Sequence, residues 1–131
     1  MFVDTSAFYA SLTPEDPHHQ KARRFLQRLD EIHADLVTTN YILLECASLI
    51  QKRQGFSQAK TFLHDTSNIF EIIWVDKQLH EDAFAAWSKA QHRGLSLVDC
   101  VSFAAMKLEG IHKALAFDSD FHQQGFEVMA L

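Results

Sequence analysis

Apolar residues follow two rhythms along this chain. Short continuous runs read as strands: FV at residues 2–3, LVTT near 36, IFEIIWV near 69, ALAF near 114 and FEVMAL at the end. They are too uniformly apolar for strands with one wet face, so they predict a sheet covered on both sides. Between them, apolar positions recur at helical spacing. Ala22, Phe25, Leu26 and Leu29 fall at i, i+3, i+4 and i+7, an amphipathic helix opened by Asp16-Pro17 as N-cap and N1 proline. Further helices are expected over about 40–54, 57–66, 77–92 and 97–109. Phe62, Phe84, Trp87 and Phe103 sit among aliphatics at helical spacing and are expected in the core. Gly55, Gly94, Gly110 and Gly125 each follow a helical stretch, where a left-handed residue closes a helix.

Strands alternating with helices predict an α/β fold with a parallel sheet between helical layers. The length of 131 residues suits one domain over 1–131, with no repeat or linker visible. A hydrophobic fraction of 47% supplies a core. No apolar run approaches the ~20 residues that span a bilayer, and no signal-peptide pattern is visible. Cys46 and Cys100 lack metal-type spacing and read as buried thiols of a cytoplasmic protein. A net charge of −5 argues against a general polyanion binder, so nucleic acid would need a local basic patch or bound cations.

The acids change the picture most. Asp4 ends the first strand and Asp118 ends the ALAF strand, so both fall on the rim where open parallel sheets bind ligands. Glu45 lies in the helix TTNYILLECASLI among Tyr41, Ile42 and Leu49, where a carboxylate is costly unless a cation or donor meets it. Asp99 opens the apolar helix GLSLVDCVSFAAM. Each acid alone has a structural explanation. Asp4 and Asp118 can cap the short helices that follow, Ser96 and Asp99 match a capping box, and Glu45 can pair with a buried arginine. Together they can converge on one pocket, and such a cluster needs cations. Hard oxygen donors suit Mg2+ or Mn2+, and in-line phosphoryl transfer uses two such ions about 3.5–4 Å apart.

The order and spacing of these motifs resemble the PIN-domain ribonucleases, specifically the VapC-type toxins of toxin–antitoxin pairs. FVDTSAFYA matches the opening motif with Asp4, TTNYILLE the helix with Glu45, RGLSLVDC the segment with Asp99, and AFDSDFHQQGFEVM the ending with Asp118. The resemblance covers nearly the whole chain. It implies a five-stranded parallel sheet of order 3-2-1-4-5 sandwiched by helices, and Mg2+- or Mn2+-dependent cleavage of single-stranded RNA. It also implies metal ligation and catalysis by Asp4, Glu45, Asp99 and Asp118. A homodimer and a VapB-like antitoxin partner are implied too, possible in a hetero-oligomer. Thr5 and Ser6 match the hydroxyl pair beside the first acid, and Asp120 is an accessory acid. Ala116 stands where the family often has Thr or Ser, and Cys100 where it often has Ala.

Lys21, Arg24 and Arg28 fall at i, i+3 and i+7 opposite the apolar stripe of their helix, flanked by Arg23 and His18-His19. They are candidate RNA contacts or a solvated face; Lys52-Arg53 is a weaker candidate. His122 reads as a surface residue. A receiver domain would need an acid pair after the first strand and a late lysine, and an Asp-x-Asp phosphatase would place that motif after the first strand. Neither pattern is present. A non-catalytic PIN-like module acting through protein contacts, or a PIN protein of RNA processing, remains the alternative.

Overall fold

The structure, a computed structural model, describes residues 1–28 and 35–129. Five parallel strands form one sheet in the order β3-β2-β1-β4-β5. They are β1 (Phe2–Val3), β2 (Val37–Thr39), β3 (Glu71–Ile73), β4 (Lys113–Leu115) and β5 (Glu127–Val128). Phe2 and Val3 are fully buried, which suits the central strand. In register, Phe2 lies between Val37 and Ala114, and Val3 opposite Leu115. Among the described residues there are seven helices: α1 (Thr5–Leu12), α2 (His19–Gln27), α3 (Asn40–Gln54), α4 (Phe56–Ile69), α5 (Lys77–Ala90), α6 (Leu97–Leu108) and α7 (Asp120–Gln123).

The strand order fixes the layers. From β1 the chain steps outward to β2 and β3, then returns across the sheet to β4 and β5. Right-handed crossovers place helices of the outward steps on one face and those of the return on the other. The packing agrees: α1 packs on α2 and α3, α3 packs on α4, and α5 packs on α6. The expected three-layer α/β sandwich and its 3-2-1-4-5 sheet are therefore present. The order reverses between β1 and β4, which opens a crevice beyond their carboxyl ends.

The core joins Phe2, Val3, Ile42, Met106, Leu115 and Phe121, all under 2% exposed. Phe121 meets Phe103 edge-on at 4.9 Å and Phe126 at 6.3 Å. This cluster seats the short α7 against α6 by burying rings that each remove a large apolar area from water. Gly125 (φ +87) then turns the chain into β5, where the Phe126 amide donates to the Phe121 carbonyl.

Several expectations are corrected. α2 starts at His19, not at Pro17, because Asp16 closes its own turn. The Asp16 carboxylate accepts from the His18 amide at 2.8 Å, and its carbonyl accepts from that of His19. Leu29 of the expected stripe lies outside the described residues. The left-handed residue closing α5 is Gln91 (φ 47), not Gly94, because the helix stops at Ala90. β3 is only half-buried, and Trp74 beyond it is 73% exposed, since an edge strand has one covered flank at most. Phe84 and Trp87 are 51% and 39% exposed rather than core. The inward face of α5 is carried by Leu79 and Ala83, four residues apart, which leaves the two aromatics to the side. Phe62 and Phe103 are buried as expected.

Candidate active site

Four segments deliver acids to the rim of the β1–β4 crevice. The first is the β1–α1 junction. Asp4 caps α1, its Oδ2 accepting from the Ser6 amide at 3.0 Å and the Ser6 hydroxyl at 2.7 Å. The Ser6 hydroxyl in turn accepts from the Phe117 amide at 3.0 Å. One serine thus ties the first acid to the end of β4. Asp4 is 4% exposed. Burial is the main cause that pushes its pKa from 3.8 up to about 6; the Ser6 bonds oppose the rise and the nearby Asp99 charge adds to it.

The second segment is α3. Glu45 is half-buried, and its Oε2 accepts from the Thr5 hydroxyl at 3.0 Å. The donor that meets this helix acid is therefore the residue next to Asp4, not an arginine. The adjacent Cys46 is buried, and its thiol is pushed up first by burial and then by the charges of Asp4 and Glu45, so both acids border it.

The third segment is the start of α6. Ser96 and Asp99 form the expected capping box: the Ser96 hydroxyl accepts from the Asp99 amide at 3.0 Å, and Asp99 Oδ2 accepts from the Ser96 amide at 2.9 Å. Burial raises the Asp99 pKa, the Ser96 bonds lower it, and Asp118 and Asp120 raise it further. The fourth segment, β4–α7, carries those two acids, with Asp118 Oδ1 accepting from the Asp120 amide at 3.0 Å. Oxygens of Asp99, Asp118 and Asp120 lie within 4.8 Å of one another, all three residues half-buried.

The structure thus gathers Asp99, Asp118 and Asp120 tightly, sets Asp4 within electrostatic reach of Asp99, and holds Glu45 through Thr5 beside Asp4. Asp120, expected only as an accessory, is a full member of the tight group because α7 turns its first residue back toward Asp118. Hard carboxylate oxygens without sulfur or imidazole make a donor set that fits Mg2+ or Mn2+. Lys21, Arg24 and Arg28 are exposed, the last just past the end of α2. The guanidinium of Arg53 lies 5.3 Å from the Tyr9 ring centre. His122 is exposed. Sequence reasoning missed the roles of the two histidines before the basic stripe. His19 Nδ1 lies 2.7 Å from the Ala10 carbonyl, and His18 stacks on Phe117. No periodicity could have paired His18 with a ring near the other end of the chain.

Residues 1–127 match the PIN domain family. The chain belongs to that family. It is 32% identical over 96% of its length, and 95% of the relative's, to the 23S rRNA-specific endonuclease VapC20 of Mycobacterium tuberculosis, in two strains. The crystal structure of that VapC20, a sarcin–ricin-loop-cleaving toxin, superimposes with a TM-score of 0.83 at 33% identity, covering 95% of each chain. FitAcB from Neisseria gonorrhoeae shares the fold, with a TM-score of 0.66 at 13% identity over 98% of this chain and 96% of its own. The resemblance read from the four acid-bearing motifs is therefore correct at the level of family and VapC type.

Proposed function

We propose that this chain is a divalent-metal-dependent endoribonuclease and the toxin of a toxin–antitoxin pair, cutting an exposed loop of 23S ribosomal RNA. The observation that carries the reading is the convergence of Asp99, Asp118 and Asp120 oxygens within 4.8 Å, with the buried Asp4 electrostatically coupled to Asp99. The kinship with VapC20 supports the substrate and the toxin role.

Asp4, Asp99 and Asp118 would hold Mg2+ or Mn2+, with Glu45 and Asp120 completing the acid set. A bound divalent cation supplies an activated water and charge neutralisation at phosphorus. The chain's own residues supply geometry. Ser6 fixes one oxygen of Asp4, Ser96 fixes one of Asp99, and Thr5 fixes Oε2 of Glu45. Each thereby presents its remaining oxygen in a set direction, the positioning that the chemistry requires. Glu45 retains Oε1 to accept a proton from the attacking water. Lys21, Arg24 and Arg28 bind the RNA backbone by ion pairing with phosphates.

An uncovered acidic rim is the natural target of arginine, whose fork matches carboxylate geometry. A VapB-like antitoxin segment placing an arginine there would silence the enzyme, as part of a homodimer or a larger hetero-oligomer. The setting is the cytoplasm, where ribosomes are. Among the described residues no helix is long and apolar enough to cross a membrane.

The test is incubation of purified chain with ribosomes and with free ribosomal RNA in Mn2+ or Mg2+. Cleavage within a single 23S loop, leaving 5′-phosphate and 3′-hydroxyl ends and stopped by EDTA, is expected. Cyclic phosphate ends or full activity in excess EDTA would exclude the mechanism. Harmless overexpression of an active nuclease would remove the toxin role and leave the enzyme.

A further inference from the structure

His18 and Phe117 stack almost flat, with ring centres 4.4 Å apart and planes 6° from parallel. The buried pairs are looser or more tilted. Phe8–Phe62 and Phe103–Phe121 meet at 82° and 78°, and the buried Phe103–Phe126 pair lies at 27° with its centres 5.9 Å apart. The flat pair is not deep in the core either, since both residues are only half-buried. His18 is the N-cap residue of α2 yet makes no side-chain cap bond, so its ring is committed to the stack rather than to the helix.

The location gives the pair a use. Phe117 immediately precedes Asp118, and its amide is held by the same Ser6 hydroxyl that holds Asp4. The stack therefore borders the acidic rim. On its other side, α2 begins at once and carries exposed Lys21 and Arg24. A flat aromatic surface thus lies between a carboxylate cluster and a line of cations. Single-stranded nucleic acid is held by that combination: charge along the backbone and a π face for each splayed base.

We infer that the His18–Phe117 stack is the platform for a nucleobase next to the scissile phosphate, making both rings positioning residues of the nuclease. This inference rests on the endoribonuclease reading. The base continues the column formed by the two rings, which fixes its phosphate relative to the acids. The chemistry selects for an unpaired base and tolerates base identity, since every base offers a π face.

The test uses an RNA hairpin of the 23S sarcin–ricin loop sequence with 2-aminopurine at loop positions. Wild type, His18→Ala, His18→Phe and Phe117→Leu are compared for cleavage kinetics and for fluorescence on binding. Wild type should quench at least one loop position. His18→Ala should raise KM about 5- to 150-fold and abolish that quench, the range that loss of one base–aromatic stack implies. Its kcat at saturating RNA should fall as well, because the phosphate is no longer fixed relative to the acids, while the Mn2+-induced gain in melting temperature stays as in wild type, because no acid is touched. His18→Phe should restore both signals by refilling the same space with a ring. Phe117→Leu should follow His18→Ala in direction. A pair that only packs would show lower thermal stability in His18→Ala with KM and quench unchanged, and that result overturns the inference while leaving the nuclease intact. Lack of cleavage by wild type overturns the nuclease reading and this inference with it.

Discussion

Two helix starts in this molecule share one local chemistry and differ in their surroundings. At α1, Asp4 caps its own helix through the Ser6 amide. At α6, Asp99 closes a reciprocal box with Ser96. Both carboxylates accept backbone N–H bonds that favour the charged form. Yet Asp4, at the end of the central strand, is 4% exposed and pushed up to about 6. Asp99, on a helix that reaches the rim from the side, is half-buried, and its rise comes from burial together with two neighbouring acids. Both acids accept a helix-start amide and both are raised, with Asp4 the more deeply buried. Burial is the first cause of the rise at both, and the cap bonds oppose it.

The largest expected effect makes the two starts equal. Asp4→Asn and Asp99→Asn should each lower RNA cleavage at least about 100-fold, since even residues that only orient metal ligands are worth 10- to 100-fold. Steady-state cleavage in Mn2+ measures it. A loss confined to one acid would show that the two starts do not serve a common centre.

Stability should then separate them. The rise of Asp4 from 3.8 to about 6 means the folded protein holds a proton that the unfolded chain releases earlier. Its stabilising effect is complete below pH 3.8 and is lost as pH rises through about 6. The shift corresponds to about 3 kcal/mol. Without metal, the melting temperature should fall across that interval on account of Asp4. Asp4→Asn should flatten the fall and melt higher than wild type at pH 8. Millimolar Mn2+ should raise wild type at pH 8, because it binds only the folded, ionised site. Asp118→Asn should melt higher without metal by relieving Asp99, and should lose much of the Mn2+ gain. Melts in EDTA and in Mn2+ check both. A wild-type melting temperature flat from pH 4 to 8 in EDTA would show that Asp4 is not held protonated.

Ser6→Ala sharpens the comparison further. It removes the 2.7 Å bond that holds Asp4 in its charged form and strands the Phe117 amide. The Asp4 pKa should rise further, moving the acid limb of the pH–rate profile upward. Stability should drop by about 1 kcal/mol for the unpaired, partly buried amide. An unmoved profile would show that Ser6 braces β4 without acting on Asp4.

The smallest effect belongs to the other start. Ser96→Ala removes an N-cap acceptor and should cost about 1 kcal/mol, a shift of roughly 3–6 °C in melting temperature. Cleavage should fall less than for Asp99→Asn, because the Ser96 amide still donates to Asp99. An equal fall would mean that the hydroxyl itself orients the acid.

The sequence alone determined what depends on neighbours in the chain. Apolar runs and helical periods located the five strands and all but the exact ends of the long helices, because burial demands those periods whatever the partner. Ser96 and Asp99 were legible as a cap because both ends of the box lie within one turn. The order and spacing of the four acid-bearing motifs identified the family. Tertiary structure decided the rest. Asp120 joined Asp99 and Asp118 because Phe121 anchors α7 on Phe103, a contact no local pattern encodes. Phe84 and Trp87 stayed at the surface because the layer beside α5 is satisfied by Leu79 and Ala83. Thr5 found Glu45 forty residues away, and His18 found Phe117 across the sheet rim. These pairings, and the depth that lifts the pKa of Asp4, arise only when the strand order reverses between the parallel β1 and β4 and brings distant segments to one edge.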